Sequence, residues 1–128
     1  MHLLGQEMKI EATMPDGSIE PIIWIKKWDF RWQDVYTLSQ PMYLPKGSRI
    51  DVYSSFDNSS DNPYNPNNPP QRVTEGEATT DEMNLAFFTV LLDDPKQEGK
   101  MMEAMYECYT RPGSGEKRGI LRRILGGN

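Results

Sequence analysis

The chain has 128 residues and a mass of 14.7 kDa, a length typical of one domain. Apolar residues make up 37% and charged residues 26%, which is polar but richer in apolar side chains than a disordered chain. No run of about eighteen apolar residues exists, which excludes a transmembrane helix, and no signal peptide is visible. Cys108 is the only cysteine, which excludes an intramolecular disulfide and a cysteine-based zinc site.

Charge is divided unevenly along the chain. Residues 1–108 hold 9 basic and 18 acidic side chains, whereas residues 109–128 hold 5 basic and 1 acidic. The acidic body argues against nucleic acid as a partner, because phosphate binding needs a basic face. The basic tail is interpreted as a solubilising segment, with contact to an anionic partner as the alternative.

The N-terminal part of the sequence predicts a β-hairpin. Residues 8–12 alternate apolar and polar side chains, and residues 19–25 contain a β-branched run. Between them stand Pro15, Asp16 and Gly17, which favour a turn because proline presets φ and glycine tolerates a positive φ. Two strand patterns on either side of such a turn indicate a hairpin.

Three further segments have strand patterns. Trp28, Phe30 and Trp32 alternate with polar residues, which predicts an extended segment with three aromatic side chains on one face. A turn pattern at residues 45–47 precedes a short predicted strand at residues 50–53. Residues 85–92 are apolar except for one threonine, and they predict the most buried strand.

The C-terminal part changes from strand to helix patterns. Residues 96–109 contain no β-branched residue and place Met101, Met105 and Cys108 on one face, which predicts a helix. Residues 118–125 have the pattern of one or two further helical turns.

A long polar loop separates the predicted strands. Residues 57–70 hold five asparagines and four prolines, so no strand ladder can pass through them. A loop of this length is either functional or a surface excursion. The elements together predict a mostly β fold, an antiparallel sandwich over residues 1–95, followed by a helix and a basic tail over residues 96–128.

Few side chains in this sequence suit metal binding or catalysis. His2 is the only histidine, and without a Gly-x-Ser-x-Gly motif it does not indicate a Ser-His-Asp triad. The eight methionines are interpreted as core filling. The alternative is a soft copper-binding group on the predicted helix, formed by Met101, Met102, Met105 and Cys108.

Three stretches resemble motifs of a known enzyme family. The His-Leu-Leu-Gly of residues 2–5 resembles the end of a His-x-His-x-Leu-Gly motif, and the Phe-Asp-Asn-Ser of residues 56–59 resembles a strand end before a long loop. Residues 76–83 resemble a Gly-x-x-(Ser/Thr)-x-Asp-Glu-Met motif. Across about residues 2–92 the chain therefore resembles the C-terminal domain of the copper type II, ascorbate-dependent monooxygenases, which include peptidylglycine hydroxylase, dopamine hydroxylase and bacterial homologues.

The resemblance implies a jelly-roll-like β-sandwich with one copper held by two histidines and a methionine. Carried onto this chain, His2 is the second histidine and Met83 is the methionine ligand. A thioether favours Cu(I), and imidazole suits both oxidation states. In the family this copper binds O2 and hydroxylates a substrate C–H bond, with electrons supplied by ascorbate.

The resemblance also implies that the chain is either a fragment of a longer parent protein or a degenerate domain. The first histidine of the motif would precede Met1, and the family's second copper lies on an upstream domain. The chain alone is therefore expected to bind copper weakly and to be inactive, with the upstream copper domain and a small-molecule or peptide substrate as partners. Copper monooxygenation usually belongs outside the reducing cytosol, so the resemblance favours a periplasmic or secreted parent protein, although the absence of disulfides weighs against this.

Residues near the implied ligands have two interpretations each. Asp81 and Glu82 either orient the metal ligands or cap the backbone at a strand start. Four aromatic side chains either line a cavity near the copper or pack within the sandwich: Trp28, Phe30, Trp32 and Tyr36. A rival interpretation assigns no metal and describes a β-sandwich that docks a partner through its aromatic stripe and long loop.

Overall fold

The structure, a computed structural model, describes residues 1–110. The chain divides into two compact units, Met1–Phe87 and Phe88–Asn128. The first unit contains the sheet and the second contains the helix. Most of the basic tail, and the helical turns predicted at residues 118–125, lie outside the described residues.

A β-hairpin opens the first unit, as predicted. Strand β1, Gly5–Thr13, pairs antiparallel with strand β2, Ile19–Ile25. Gly17 donates its N–H to the Met14 carbonyl at 2.9 Å, and Met14 donates to the Ser18 carbonyl at 2.8 Å. Gly17 has a φ of 88°, which residues with a Cβ rarely adopt, so the turn requires this glycine.

A third strand completes the sheet. Strand β3, Arg49–Phe56, pairs antiparallel with the other edge of β1, so the order is β2-β1-β3. The turn predicted before it is confirmed by a hydrogen bond from Ser48 N–H to the Pro45 carbonyl at 3.0 Å, with Gly47 at a φ of 97°. The short strand predicted at residues 50–53 is therefore confirmed and extended.

The central strand buries one face of the sheet. Met8, Ile10 and Ala12 are buried because successive side chains of a strand point to opposite faces. Met1 joins Met8 and Ile10 in the core cluster. Partly buried apolar side chains pack against that cluster: Ile22, Ile23, Trp28, Ile50, Val52, Phe56 and Ala86. The three antiparallel strands confirm the mostly β class.

The aromatic segment after β2 forms a turn, so the predicted extended stretch was wrong. Trp32 donates its N–H to the Asp29 carbonyl at 2.9 Å. The Asp29 carboxylate accepts the Arg31 N–H at 2.9 Å, a local bond that competes with strand pairing. Trp28 and Phe30 are half-buried while Trp32 is 71% exposed, so the three rings do not share a face.

The apolar segment at residues 85–92 is not the buried strand that its composition predicted. Within residues 1–110 it belongs to no strand, and Phe87 and Leu91 are 86% and 78% exposed. A buried strand needs hydrogen-bonded partners beside it, and the described strands provide none for this segment. An apolar composition favours burial of this segment, but a strand forms only where a neighbouring strand is available to pair with it.

The second unit contains the predicted helix. A 3-10 turn at Pro95–Gln97 precedes helix α1, Glu98–Thr110. The Asp94 carboxylate accepts the Lys96 N–H at 3.0 Å, and proline occupies the first turn, both common at helix starts. The side chain of Cys108 lies outside the described part of the helix. None of the helices in residues 1–110 has the length and apolar character needed to cross a membrane.

We expect Ile10→Ala to destabilise the first unit by about 2–5 kcal/mol, because it removes buried atoms from the centre of the core. Ile19→Ala is the matched control, since Ile19 lies on β2 and is 58% exposed. Urea unfolding followed by circular dichroism measures both. Equal losses for the two variants would contradict the assignment of the core to this face of β1.

Candidate functional site

The histidine lies against a segment that is distant in the sequence. The His2 Nδ1 atom is 3.1 Å from the backbone carbonyl oxygen of Asp81, 79 residues further along the chain. A carbonyl oxygen only accepts hydrogen bonds, so this contact requires the proton on Nδ1. The neutral ring then carries its lone pair on Nε2. Leu3 donates its N–H to the Thr79 carbonyl at 3.4 Å, so the two segments meet at two points.

The segment that contacts His2 is a loop with its own hydrogen bonds. Asp81 donates its N–H to the Ala78 carbonyl at 2.8 Å, and its carboxylate accepts the Ala78 N–H at 3.1 Å. The Glu82 carbonyl accepts the Gly76 N–H at 3.1 Å. A Cβ at Gly76 would overlap the Asp81 carboxylate, which would have to shift to make room for it. The Asp81 side chain thus caps this loop, while its main-chain carbonyl faces His2.

Met83 follows this loop and is half-buried. Two residues of chain span at most about 7 Å, so the backbone of Met83 lies within about that distance of Asp81. Within residues 1–110 no three His, Cys, Asp or Glu side chains group in a metal-binding arrangement.

An aromatic ring also contacts the histidine. The ring centroids of Phe30 and His2 are 6.1 Å apart and their planes meet at 84°, an edge-to-face arrangement. Phe30 lies inside the turn closed by the bond between Trp32 and Asp29. The cavity-lining aromatic residues predicted from the sequence thus include one that touches the predicted metal ligand.

A small hollow of about 40 Å³ lies beside this turn. Its volume exceeds the roughly 10–15 Å³ that is enough to hold one water molecule, so the hollow admits water or another small group. The hollow is lined by Leu3, Gly5, Trp28, Asp29, Phe30, Arg31 and Tyr64. Of the predicted cavity residues, Trp28 and Phe30 line it, whereas the exposed Trp32 and Tyr36 do not.

At the rim, Arg31 forms an ion pair within the turn and also contacts the long polar loop. Arg31 donates from Nε and Nη2 to the two carboxylate oxygens of Asp29 at 3.0 and 2.8 Å. Arg31 Nη2 also donates to the Tyr64 hydroxyl at 2.9 Å, and the guanidinium lies 5.0 Å from the Tyr64 ring centroid. The side-chain and backbone hydrogen bonds from Arg31 lower the pKa of Asp29 to about 2. We call these three residues the clamp.

The polar loop at residues 57–70 is braced by its own asparagine side chains. Asn62 donates from Nδ2 to the Asp57 carbonyl at 2.7 Å, and its Oδ1 accepts the Tyr64 N–H at 2.9 Å. Asn65 donates from Nδ2 to Asn58 Oδ1 at 3.0 Å. These bonds replace the strand ladder that the prolines prevent, and they hold Tyr64 at the rim.

The structure brings together part of the predicted site. His2 contacts Phe30 and the main-chain carbonyl of Asp81, while the methionines of the alternative copper group are on α1, where Met102 and Met105 are exposed. Sequence reasoning missed Arg31 and Tyr64. The only available sequence hints were an Asp-x-Arg spacing and a single aromatic residue within the polar loop.

The residues present fit copper in type. His2 offers a nitrogen donor and Met83 a soft sulfur donor, a pair that suits Cu(I). A histidine that ligates a metal usually donates its other ring N–H to a carbonyl or carboxylate, and the Asp81 carbonyl is placed to accept it. Comparison with protein-family models, with curated proteins and with solved structures gives no match for this chain.

We expect Gly76→Ala to disturb His2, because the added Cβ displaces the Asp81 carboxylate and with it the loop that contacts the imidazole. The His2 ring signals in a ¹H–¹⁵N spectrum should shift. Gly99→Ala is the control, since a Cβ there meets nothing within 4 Å. Unchanged His2 signals in Gly76→Ala would contradict the contact with this loop.

The clamp should titrate in acid. A carboxylate whose pKa is lowered from 3.8 to about 2 stabilises the folded clamp above pH 3.8, and that contribution is lost as the pH falls through about 2. We expect the Asp29 carboxyl carbon to titrate with a midpoint of about 2 in an NMR pH series. Arg31→Gln should raise that midpoint toward 3.8. A midpoint near 3.8 in the unmodified chain would exclude the clamp.

Proposed function

We propose that this chain is a copper-binding domain of an ascorbate-dependent monooxygenase-like protein, and that its sheet belongs to a jelly-roll-like β-sandwich. The proposal is carried by the contact between the His2 ring and the Asp81 carbonyl. That contact joins the two motifs in which the resemblance places a nitrogen and a sulfur ligand. The three antiparallel strands are compatible with a sandwich and support only the coarser β class.

Each residue has a separate task in this proposal. His2 would bind the metal through Nε2, and Met83 would bind it through the thioether sulfur. The Asp81 carbonyl would keep the proton on His2 Nδ1, which leaves the Nε2 lone pair available. Bound copper would supply the one-electron chemistry by which this enzyme family activates O2 and hydroxylates a C–H bond.

The full activity would require parts from outside this sequence. A third ligand would come from a histidine upstream, and ascorbate or another reductant would act through an upstream copper domain. The substrate would be a small molecule or a peptide. We therefore propose weak copper binding and no turnover for this chain alone, because two donors hold a soft metal less tightly than three.

An anaerobic Cu(I) titration tests the proposal. We expect one-to-one binding by the unmodified chain, and a loss of at least about tenfold in affinity in His2→Gln and in Met83→Leu, since even indirect changes at metal sites cost that much. A chain extended upstream to supply a preceding histidine should bind more tightly.

Met102→Leu is the control for the thioether. Met102 is exposed on α1, so its loss should change the Cu(I) affinity less than about twofold if Met83 is the ligand. If Met102→Leu lowers the affinity and Met83→Leu does not, the metal binds the methionines of the helix and the proposed site is wrong. If all variants bind like the unmodified chain, His2 and Met83 are not ligands.

A second candidate function is a docking module without metal. It is favoured by the exposed apolar side chains of the segment that follows the turn: Trp32, Val35, Tyr36, Leu38 and Tyr43. Large exposed apolar side chains, where they form a patch, often mark a protein interaction site. Absence of one-to-one Cu(I) binding in both the original and the extended chain would favour this function over the copper domain.

A further inference from the structure

The turn that carries Phe30 is fixed on two sides. Trp28 donates its N–H to the Gln6 carbonyl at 2.8 Å, which attaches the start of the turn to β1. At the other side the clamp attaches it to Tyr64 of the polar loop. Phe30 lies between these two attachments and meets His2 edge-on.

We propose that Phe30 is a positioning residue for His2, and that the polar loop sets its place through the clamp of Asp29, Arg31 and Tyr64. The inference deepens the proposed function and rests on it where copper is concerned. Its structural part concerns the metal-free imidazole, and it can be measured separately.

The physical reason lies in the freedom of a histidine ring. The torsion between the imidazole and its Cβ has a broad, roughly two-fold energy profile, so one hydrogen bond at Nδ1 can be exchanged for a bond to water by rotation. The Asp81 carbonyl holds one ring atom of His2. An edge-to-face contact with Phe30 opposes rotation of the whole ring and therefore favours the arrangement with the proton on Nδ1.

The loop is suited to this task because it is braced. The Tyr64 N–H is bonded to Asn62 Oδ1 at 2.9 Å, and Asn62 is bonded to the Asp57 carbonyl at the end of β3. Asp57 in turn donates its N–H to the Leu4 carbonyl at 2.8 Å. A continuous series of bonds thus runs from the residues beside His2, through the loop, to the rim of the turn. A displacement of Tyr64 would be transmitted to Phe30 through Arg31.

The first measurement is the ratio of the two neutral tautomers of His2, read from its imidazole ¹⁵N shifts in the metal-free chain. We expect the form with the proton on Nδ1 to dominate. Phe30→Leu should lower the ratio of the Nδ1-protonated form to the Nε2-protonated form by about two- to tenfold, the range for one aromatic contact. Phe30→Tyr keeps an aromatic ring and should leave this ratio as it is in the unmodified chain. Trp32→Leu, an exposed aromatic residue in the same turn, should leave the ratio unchanged.

A double-mutant cycle tests the role of the loop. Tyr64→Ala removes both contacts of Tyr64 with Arg31, the hydrogen bond and the ring contact, and should lower the tautomer ratio when Phe30 is present. It should have no further effect when Phe30 is already leucine. Additive effects would overturn transmission through Phe30. An unchanged ratio in Phe30→Leu, or an equal change in Trp32→Leu, would overturn the positioning role. Circular dichroism is run on every variant, and a variant that unfolds is replaced by Phe30→Met or Tyr64→Leu.

The two proposals fail in different ways. If Phe30→Leu changes the tautomer ratio but neither the original nor the extended chain binds Cu(I), the positioning inference stands and the proposed function is wrong. If the original and the extended chain both bind Cu(I) with affinities that depend on His2 and Met83, but Phe30→Leu leaves the tautomer ratio unchanged, the proposed function stands and the inference is wrong.

Discussion

Three separate segments are bonded at four points to residues 2–6, just before and at the start of the central strand. The partners are Asp81 at His2, Thr79 at Leu3, Asp57 at Leu4 and Trp28 at Gln6. The position of residues 2–6 is fixed by β1, because its apolar side chains must face the core and a slip of one residue would turn them outward. Burial along one strand thus determines where the aromatic turn, the polar loop and the loop that contacts His2 meet.

The local structure was predictable because local sequence determines it. The hairpin, the turn before β3 and the helix each follow from proline, glycine and apolar spacing within a few residues. The contact between His2 and Asp81 was only partly predictable, since the resemblance placed their motifs in one site but gave no reason for the carbonyl contact. The pairing of Arg31 with Tyr64 joins residues 33 apart, and no periodicity encodes such a pair.

The two failed strand predictions have different causes. At residues 28–32 the aromatic alternation favoured a strand, but the Asp29 carboxylate bonds a nearby N–H and stabilises a turn. At residues 85–92 the composition favours burial, and the described strands leave no partner for that segment. The first prediction failed because a local hydrogen bond within the segment competes with strand pairing. The second failed because strand formation depends on which strands lie beside the segment in the sheet. The sandwich remains a proposal for the same reason, since a second sheet must supply the partner.

Stability and site geometry have separate origins in this unit. The core belongs to the buried face of β1, whereas the clamp is an exposed ion pair of the kind that contributes little to the free energy of unfolding. The two hydrogen bonds from Arg31 to Asp29, together with its contact with the Tyr64 ring, nevertheless fix the orientation of the turn relative to the polar loop. Weak interactions can do this because the turn and the loop are each held by further hydrogen bonds. Changes at Arg31 or Tyr64 can therefore alter the orientation of His2 while the sheet stays folded. That separation allows the orientation of the His2 imidazole to vary without loss of the folded domain.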